Sequence, residues 1–322
     1  GDIYLGTPGE ISIDDPAGGG WAVIGHNKNA GAGTIHDANV TIQAASMDSV
    51  FGASGGNVFA VNSLVGAMLR DNLVGGDVSL YATGAGGLLV SPGVNIAPTS
   101  PNDFNLLSAY DVVVRGTIQN AGGGNVNVVA GWDPTVAPLA DSATGIIAGV
   151  DMESDIFGVA GSFGKNNGSV VVSNAAGAAS VGSLSGQTNV AGHSVSLAGG
   201  TTDSYAQIGY RGAGTGAINV HAGNGGVTLT AGNGARSSVQ IGHGGDSVAG
   251  EKSGNITVIS GNGVSAAGGL GAGSNAYAQI GHGGYGSAGV VGSAGATGTS
   301  DIVVRGGSGA ILLAAGGNAA AN

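Results

Sequence analysis

Tyr277-Ala278-Gln279-Ile280-Gly281-His282-Gly283-Gly284 decides the fold, because it recurs. Tyr205-Ala206-Gln207-Ile208-Gly209-Tyr210 and Ser238-Val239-Gln240-Ile241-Gly242-His243 are close copies, and Trp21-Ala22-Val23-Ile24-Gly25-His26 is a more distant one. Two short alternating runs follow each clear copy. After Ile208 they begin at Ile218 and Val227, after Ile241 at Ile256 and Val264, and after Ile280 at Ile302 and Ile311. The step between the two runs is nine, eight and nine residues, and the step from the second run to the next copy is 14 and 16. The N-terminus obeys the same grammar, with eight residues from Ile3 to Ile11 and 13 from Ile11 to Ile24. Only the arc after the copy is elastic, at 10, 15 and 22 residues.

Two fixed arcs and one elastic arc per cycle describe a coil of three short strands with insertions at one corner. Strand alternation turns Ala206 and Ile208 inward and Tyr205 and Gln207 outward. Ile218, Val220, Val227 and Leu229 point inward by the same rule, with Asn219, Thr228 and Thr230 outside. Strands this short are unstable alone and gain backbone hydrogen bonds and a shared apolar interior only when stacked. The expected fold is therefore all-β, a single-stranded parallel β-helix, with Ile24, Ile208, Ile241 and Ile280 as one interior ladder. About a dozen coils at ~4.8 Å each would make a body on the order of 60 Å long.

Composition agrees. Of 322 residues 69 are glycine, without a triplet period, so collagen is excluded. The glycines cluster between the apolar runs, where corners call for positive φ. A hydrophobic share of 42% in strand-type alternation argues against disorder. The net charge of −11 with only 8 basic residues leaves no basic cluster for nucleic acid or an anionic membrane surface. No apolar run reaches the ~20 residues of a membrane-spanning helix. Cysteine is absent, which excludes disulfides and thiolate metal sites and suits a chain exported unfolded. The strand-like opening Asp2-Ile3-Tyr4-Leu5 reads as a mature or excised segment.

Residues 1–322 read as one continuous β-helix, clearest over 205–322, and no segment shows a helical period. Pro92, Pro98 and Pro101 mark 84–108 as a loop excursion. The least repetitive stretch, 131–168, is read as a second excursion, with Phe157 or Phe163 pinned on the coil.

The run Gly116-Thr117-Ile118-Gln119-Asn120, followed by Gly124-Asn125-Val126-Asn127-Val128-Val129-Ala130-Gly131-Trp132-Asp133, resembles the repeats of filamentous-haemagglutinin-type exoproteins, as do the Ala-Gln-Ile-Gly-His copies. The resemblance implies a right-handed parallel β-helix from the repeat region of a bacterial surface protein exported by two-partner secretion. It implies an extracellular or cell-surface location, an outer-membrane secretion partner, and adhesion or a biofilm-matrix role. It carries no catalytic residues.

Several residues are candidates for chemistry. His26, His243 and His282 share a motif position; stacked about one strand spacing apart they suggest a metal pair, although a polar corner ladder is the simpler reading. Gln207, Gln240 and Gln279 are expected to form a ladder of amides bonded to one another. Tyr205 and Tyr277, with Trp21 in the equivalent place, are candidates for an aromatic strip that stacks on sugars, with packing against neighbouring loops as the alternative, and His243, His282 and Trp132 are further candidates for surface binding. Asp151, Glu153 and Asp155 alternate on one strand face and are weak calcium candidates. A polysaccharide-cleaving enzyme needs carboxylates converging with a base, and charges are too sparse within the repeats. Ice binding calls for a regular threonine array, which Ser265 and Leu312 interrupt. The expectation is a non-enzymatic structural or adhesive segment without cofactors. Its partners would be neighbouring copies or more of the same chain at the helix ends, with a surface glycan or cell receptor on its sides. A carbohydrate-active β-helix enzyme, or a glycan-, ice- or metal-binding face, is the alternative.

Overall fold

The computed structural model describes residues 3–6, 10–13, 40–44, 46–49, 59–61, 63–133, 163–269, 275–289, 291 and 300–314. Trp21, Ile24, His26, Asp151, Glu153, Asp155 and Phe157 lie outside them. The chain coils into a parallel β-helix with three faces. Among the described residues the first sheet has nine strands, from Ile3–Gly6 through Val126–Ala130 to Ile302–Arg305. The second has ten, from Glu10–Ile13 to Ile311–Ala314, and the third has six, from Asn95–Ile96 to Ala278–Ile280. From Val78 onward each cycle visits the first, second and third sheets in turn. The nine first-sheet strands among the described residues span about 40 Å at ~4.8 Å per rung.

Register follows the spacing. Ile208 pairs with Ile241 and Ile241 with Ile280. Ile218, Ile256 and Ile302 form a second ladder, and Val227, Val264 and Ile311 a third. The isoleucine ladder runs back through Val181 and Ile118 to Ile96. These side chains fill one apolar core along the axis. Each buried Val, Leu or Ile contributes roughly 1.5–3 kcal/mol of transfer free energy. Thr188 is the one hydroxyl in the inward column Val78, Phe104, Val126, Thr188, Ile218, and its Oγ1 accepts a 3.0 Å bond from the Ser183 N–H.

Two expectations are corrected. Residues 84–108 do not leave the coil. They hold Leu88–Val90, Asn95–Ile96 and Phe104–Ser108, one strand of each sheet. The three prolines fall between these strands, where no ladder N–H is needed, so they mark corners. Ser63–Leu73, read as non-helical, is an α-helix. Val65, Leu69 and Leu73 recur every fourth residue and are fully buried. Gly66 admits close packing, since a Cβ there would lie 2.9 Å from Val94 Cγ1. The helix follows a second-sheet strand, precedes a first-sheet strand and packs on Asn95–Ile96. It takes the place of a third-sheet strand and covers that sheet's edge.

The chain departs from the repeat after Val126–Ala130. Gly164 N–H donates to Ala130 O and Lys165 N–H to Gly131 O, at 3.1 and 2.9 Å, while Lys165 Nζ meets Asp133 at 2.6 Å. Residues 131–133 and 163–165 thus form a closed stem at the corner between the first and second sheets.

Candidate functional site: the stacked glycine, glutamine and histidine corner

The recurrent motif builds the corner after the third sheet. Gly209, Gly242 and Gly281 have φ of 128°, 155° and 151°. A Cβ on Gly209 would sit 2.3 Å from Gly242 O, and one on Gly242 1.9 Å from Gly281 O. Successive rungs therefore touch backbone to backbone, and only glycine fits.

That contact leaves room for the glutamine amides. Gln207 Nε2 donates to Gly242 O at 2.8 Å, Gln240 Nε2 to Gly281 O at 2.8 Å and Gly283 O at 3.0 Å, and Gln279 Nε2 to His282 O at 2.9 Å. The three glutamines do share one register column. They do not bond to one another, however, and Gln207 and Gln240, though outward, are buried. The elastic loops fold back over them, so side chains that point away from the core are still enclosed.

The histidines are held as firmly. His243 and His282 stack with centroids 5.2 Å apart and planes 10° from parallel. His243 Nδ1 accepts from the Tyr210 N–H at 2.9 Å, which assigns the proton to Nε2, and Nε2 donates to Gly216 O at 2.7 Å. His282 repeats the arrangement, with Nδ1 accepting from the His243 N–H at 3.1 Å and Nε2 donating to Gly254 O at 2.8 Å. Burial pulls the His243 pKa down to about 4 and lowers that of His282. Every ring nitrogen of the pair is used by the backbone, so none is left for a metal. Among the described residues no three His, Asp or Glu side chains gather as metal ligands. Buried in this corner, the pair also presents no binding surface.

Lys252 completes the corner. It is fully buried, and its ammonium donates to Val248 O, Gly250 O and Ala288 O at 2.7, 2.8 and 2.8 Å. Ala288 belongs to the next elastic loop, so the lysine ties consecutive loops together.

The aromatic candidates are also enclosed. Tyr205 and Tyr277 are half-buried, and burial raises both phenol pKa values. The Arg211 guanidinium lies 3.6 Å from the Tyr205 ring centroid and covers the face a sugar would use. Trp132 is buried against Leu107, Val129 and Ala191, with Tyr81 and Phe163 packed around them. Phe163 lies edge-on to His221, 4.7 Å between centroids. His221 is 3% exposed, neither of its nitrogens has a partner, and burial takes its pKa down to about 4.

One axial ladder was missed at the sequence level. Asn105, Asn127, Asn189 and Asn219 stack on consecutive strands of the first sheet. Asn127 Nδ2 donates to Asn105 Oδ1 at 2.7 Å, Asn189 to Asn127 and Asn219 to Asn189 both at 2.8 Å. Asn105 Nδ2 ends on Ser79 Oγ at 3.0 Å. The amide-to-amide ladder expected of glutamine is thus made by asparagine. Its signal was present as Asn second in each run, in Phe104-Asn105-Leu106, Val126-Asn127-Val128, Thr188-Asn189-Val190 and Ile218-Asn219-Val220.

No family model, curated protein or solved structure matches this chain. The geometry of the coil therefore carries the functional reading.

Proposed function

We propose that this chain is a non-enzymatic, rod-forming segment of a bacterial surface filament or biofilm-matrix adhesin of filamentous-haemagglutinin type, exported by two-partner secretion. The observation that carries the proposal is the direction of its bonds. Three parallel ladders run along one axis, and the polar side chains that could have served chemistry serve that axis instead. Asn127, Gln240, His243 and Lys252 each tie one rung or loop to the next. A body bonded this way resists extension, which suits holding a binding tip away from a cell or linking cells in a matrix.

The last described rung supports partners at the ends. Ile311 and Leu313 hold the register of the inward Val264 and Ala266, yet they are 49% and 79% exposed. A further rung, from a neighbouring copy or from more of the same chain, would cover them and pair the strand edge that is open among the described residues. Antibody labelling of intact cells, together with an assay for newly released reducing ends on surface polysaccharides, tests the reading. Label on extracellular filaments without polysaccharide cleavage is expected. Label confined to the cell interior, or turnover of a polysaccharide, would overturn it.

A further inference from the structure

Four Asn-Gly steps occur in the chain: Asn167-Gly168, Asn224-Gly225, Asn233-Gly234 and Asn262-Gly263. Such a step can modify itself. The glycine backbone nitrogen loses its proton and attacks the asparagine Cγ; a ring C–N bond forms and ammonia leaves. Water then opens the succinimide at either carbonyl, giving aspartate or isoaspartate. The nucleophile is the glycine nitrogen, so a hydrogen bond that holds its N–H in the coil suppresses the reaction.

All four asparagines are exposed, so access does not separate them. The glycine N–H does. Gly168 donates to Lys165 O at 2.9 Å, Gly225 to His193 O at 2.7 Å and Gly263 to Gly306 O at 2.7 Å. The last two bonds run between rungs. Gly234 N–H donates to no acceptor among the described residues. It also lines, with Asn233, a groove of about 870 Å³ at the corner between the second and third sheets, open to the water that the second step consumes.

We infer that Asn233 is a self-modification site, deamidating to aspartate and isoaspartate while the other three Asn-Gly steps are protected by the coil. The structural consequence is local. Isoaspartate adds a methylene to the backbone where the corner has no slack: a Cβ on Gly234 would lie 2.2 Å from Thr202 N, and one on Gly232 2.1 Å from Gly200 O. The nearby rung-to-rung bond from Asp203 N–H to Ala235 O, at 2.9 Å, is the contact this extra length would displace. In a long-lived extracellular rod, age would then be written at one corner.

Peptide mapping by mass spectrometry tests this. The purified chain is held in mildly alkaline buffer at body temperature, native and in urea, and deamidation is followed at each of the four sites. The ratio of native to unfolded rate removes any intrinsic difference between the steps. A protected amide reacts only from a locally opened state. The ratio is therefore expected at least about tenfold higher at Asn233 than at Asn167, Asn224 and Asn262. Asn233→Gln should remove the dominant native product. A ratio at Asn233 as low as at the other three, or native deamidation at any of those three as fast as at Asn233, would overturn the inference.

Discussion

The face of the first sheet and the corner after the third meet the same demand, bonding along the axis, in different ways. On the face, Asn105, Asn127, Asn189 and Asn219 stack and pass hydrogen bonds from amide to amide. At the corner after the third sheet, Gln207 and Gln240 reach around to glycine carbonyls, and His243 and His282 stack beside them. The face ladder asks only for an amide at one outward position. The corner asks for glycine at a given φ, an amide of one length and a ring with one tautomer. Strict geometry leaves a strict motif, which is why the corner is the conspicuous repeat.

The sharpest way to break that comparison is at the corner's tightest contact. Gly242→Val places a branched side chain where even a Cβ would sit 1.9 Å from Gly281 O, at a φ of 155°. The expected loss is more than about 4 kcal/mol in denaturant unfolding. A loss within about 0.5 kcal/mol would mean that the corner is not tight.

Acid is expected to act next most strongly. His221 and His243 have folded pKa values of about 4, below the ordinary histidine value of 6.5. Between those limits the unfolded chain binds more protons than the folded one. Stability is therefore full above about pH 6.5 and falls as pH drops toward 4, by about 3 kcal/mol for each histidine. Thermal unfolding across this range measures the slope. His221 also separates the two regions, because its nitrogens make no bonds whereas both of His243 do. His221→Leu should leave neutral-pH stability unchanged or raised and flatten the acid slope; a loss of several kcal/mol at neutral pH would contradict its placement.

On the face ladder, Asn127→Ala removes a donor to Asn105 and an acceptor from Asn189, for an expected cost of about 1–3 kcal/mol. A neutral result would reduce the ladder to a coincidence of register. Thr228→Lys, on an exposed outward position of the second sheet, should change stability by no more than about 0.5 kcal/mol.

What the sequence disclosed follows the same division. Spacing announced the ladders through Ile208, Ile218 and Val227, because a one-residue slip would turn every inward side chain out. Inward positions such as Ile241 and Val258 were legible from alternation alone. What alternation does not carry is a second layer outside the coil. Gln240, His243 and Trp132 were read as exposed because they point away from the core, and loops or the stem at 131–133 and 163–165 enclose them. The helix Ser63–Leu73 was hidden for a different reason. It is one short element amid strands, and Val65 and Gly66 weaken its propensity signal.

Cryo-electron microscopy of the native assembly tests the rod most directly. The account predicts filaments in which a rung spacing of ~4.8 Å runs without interruption across the open edge at Ile311–Ala314. In cross-section they should be three-sided, with His243 stacked on His282 at one corner. Discrete particles in which that edge is covered by an unrelated cap, with no rung added beyond it, would contradict it.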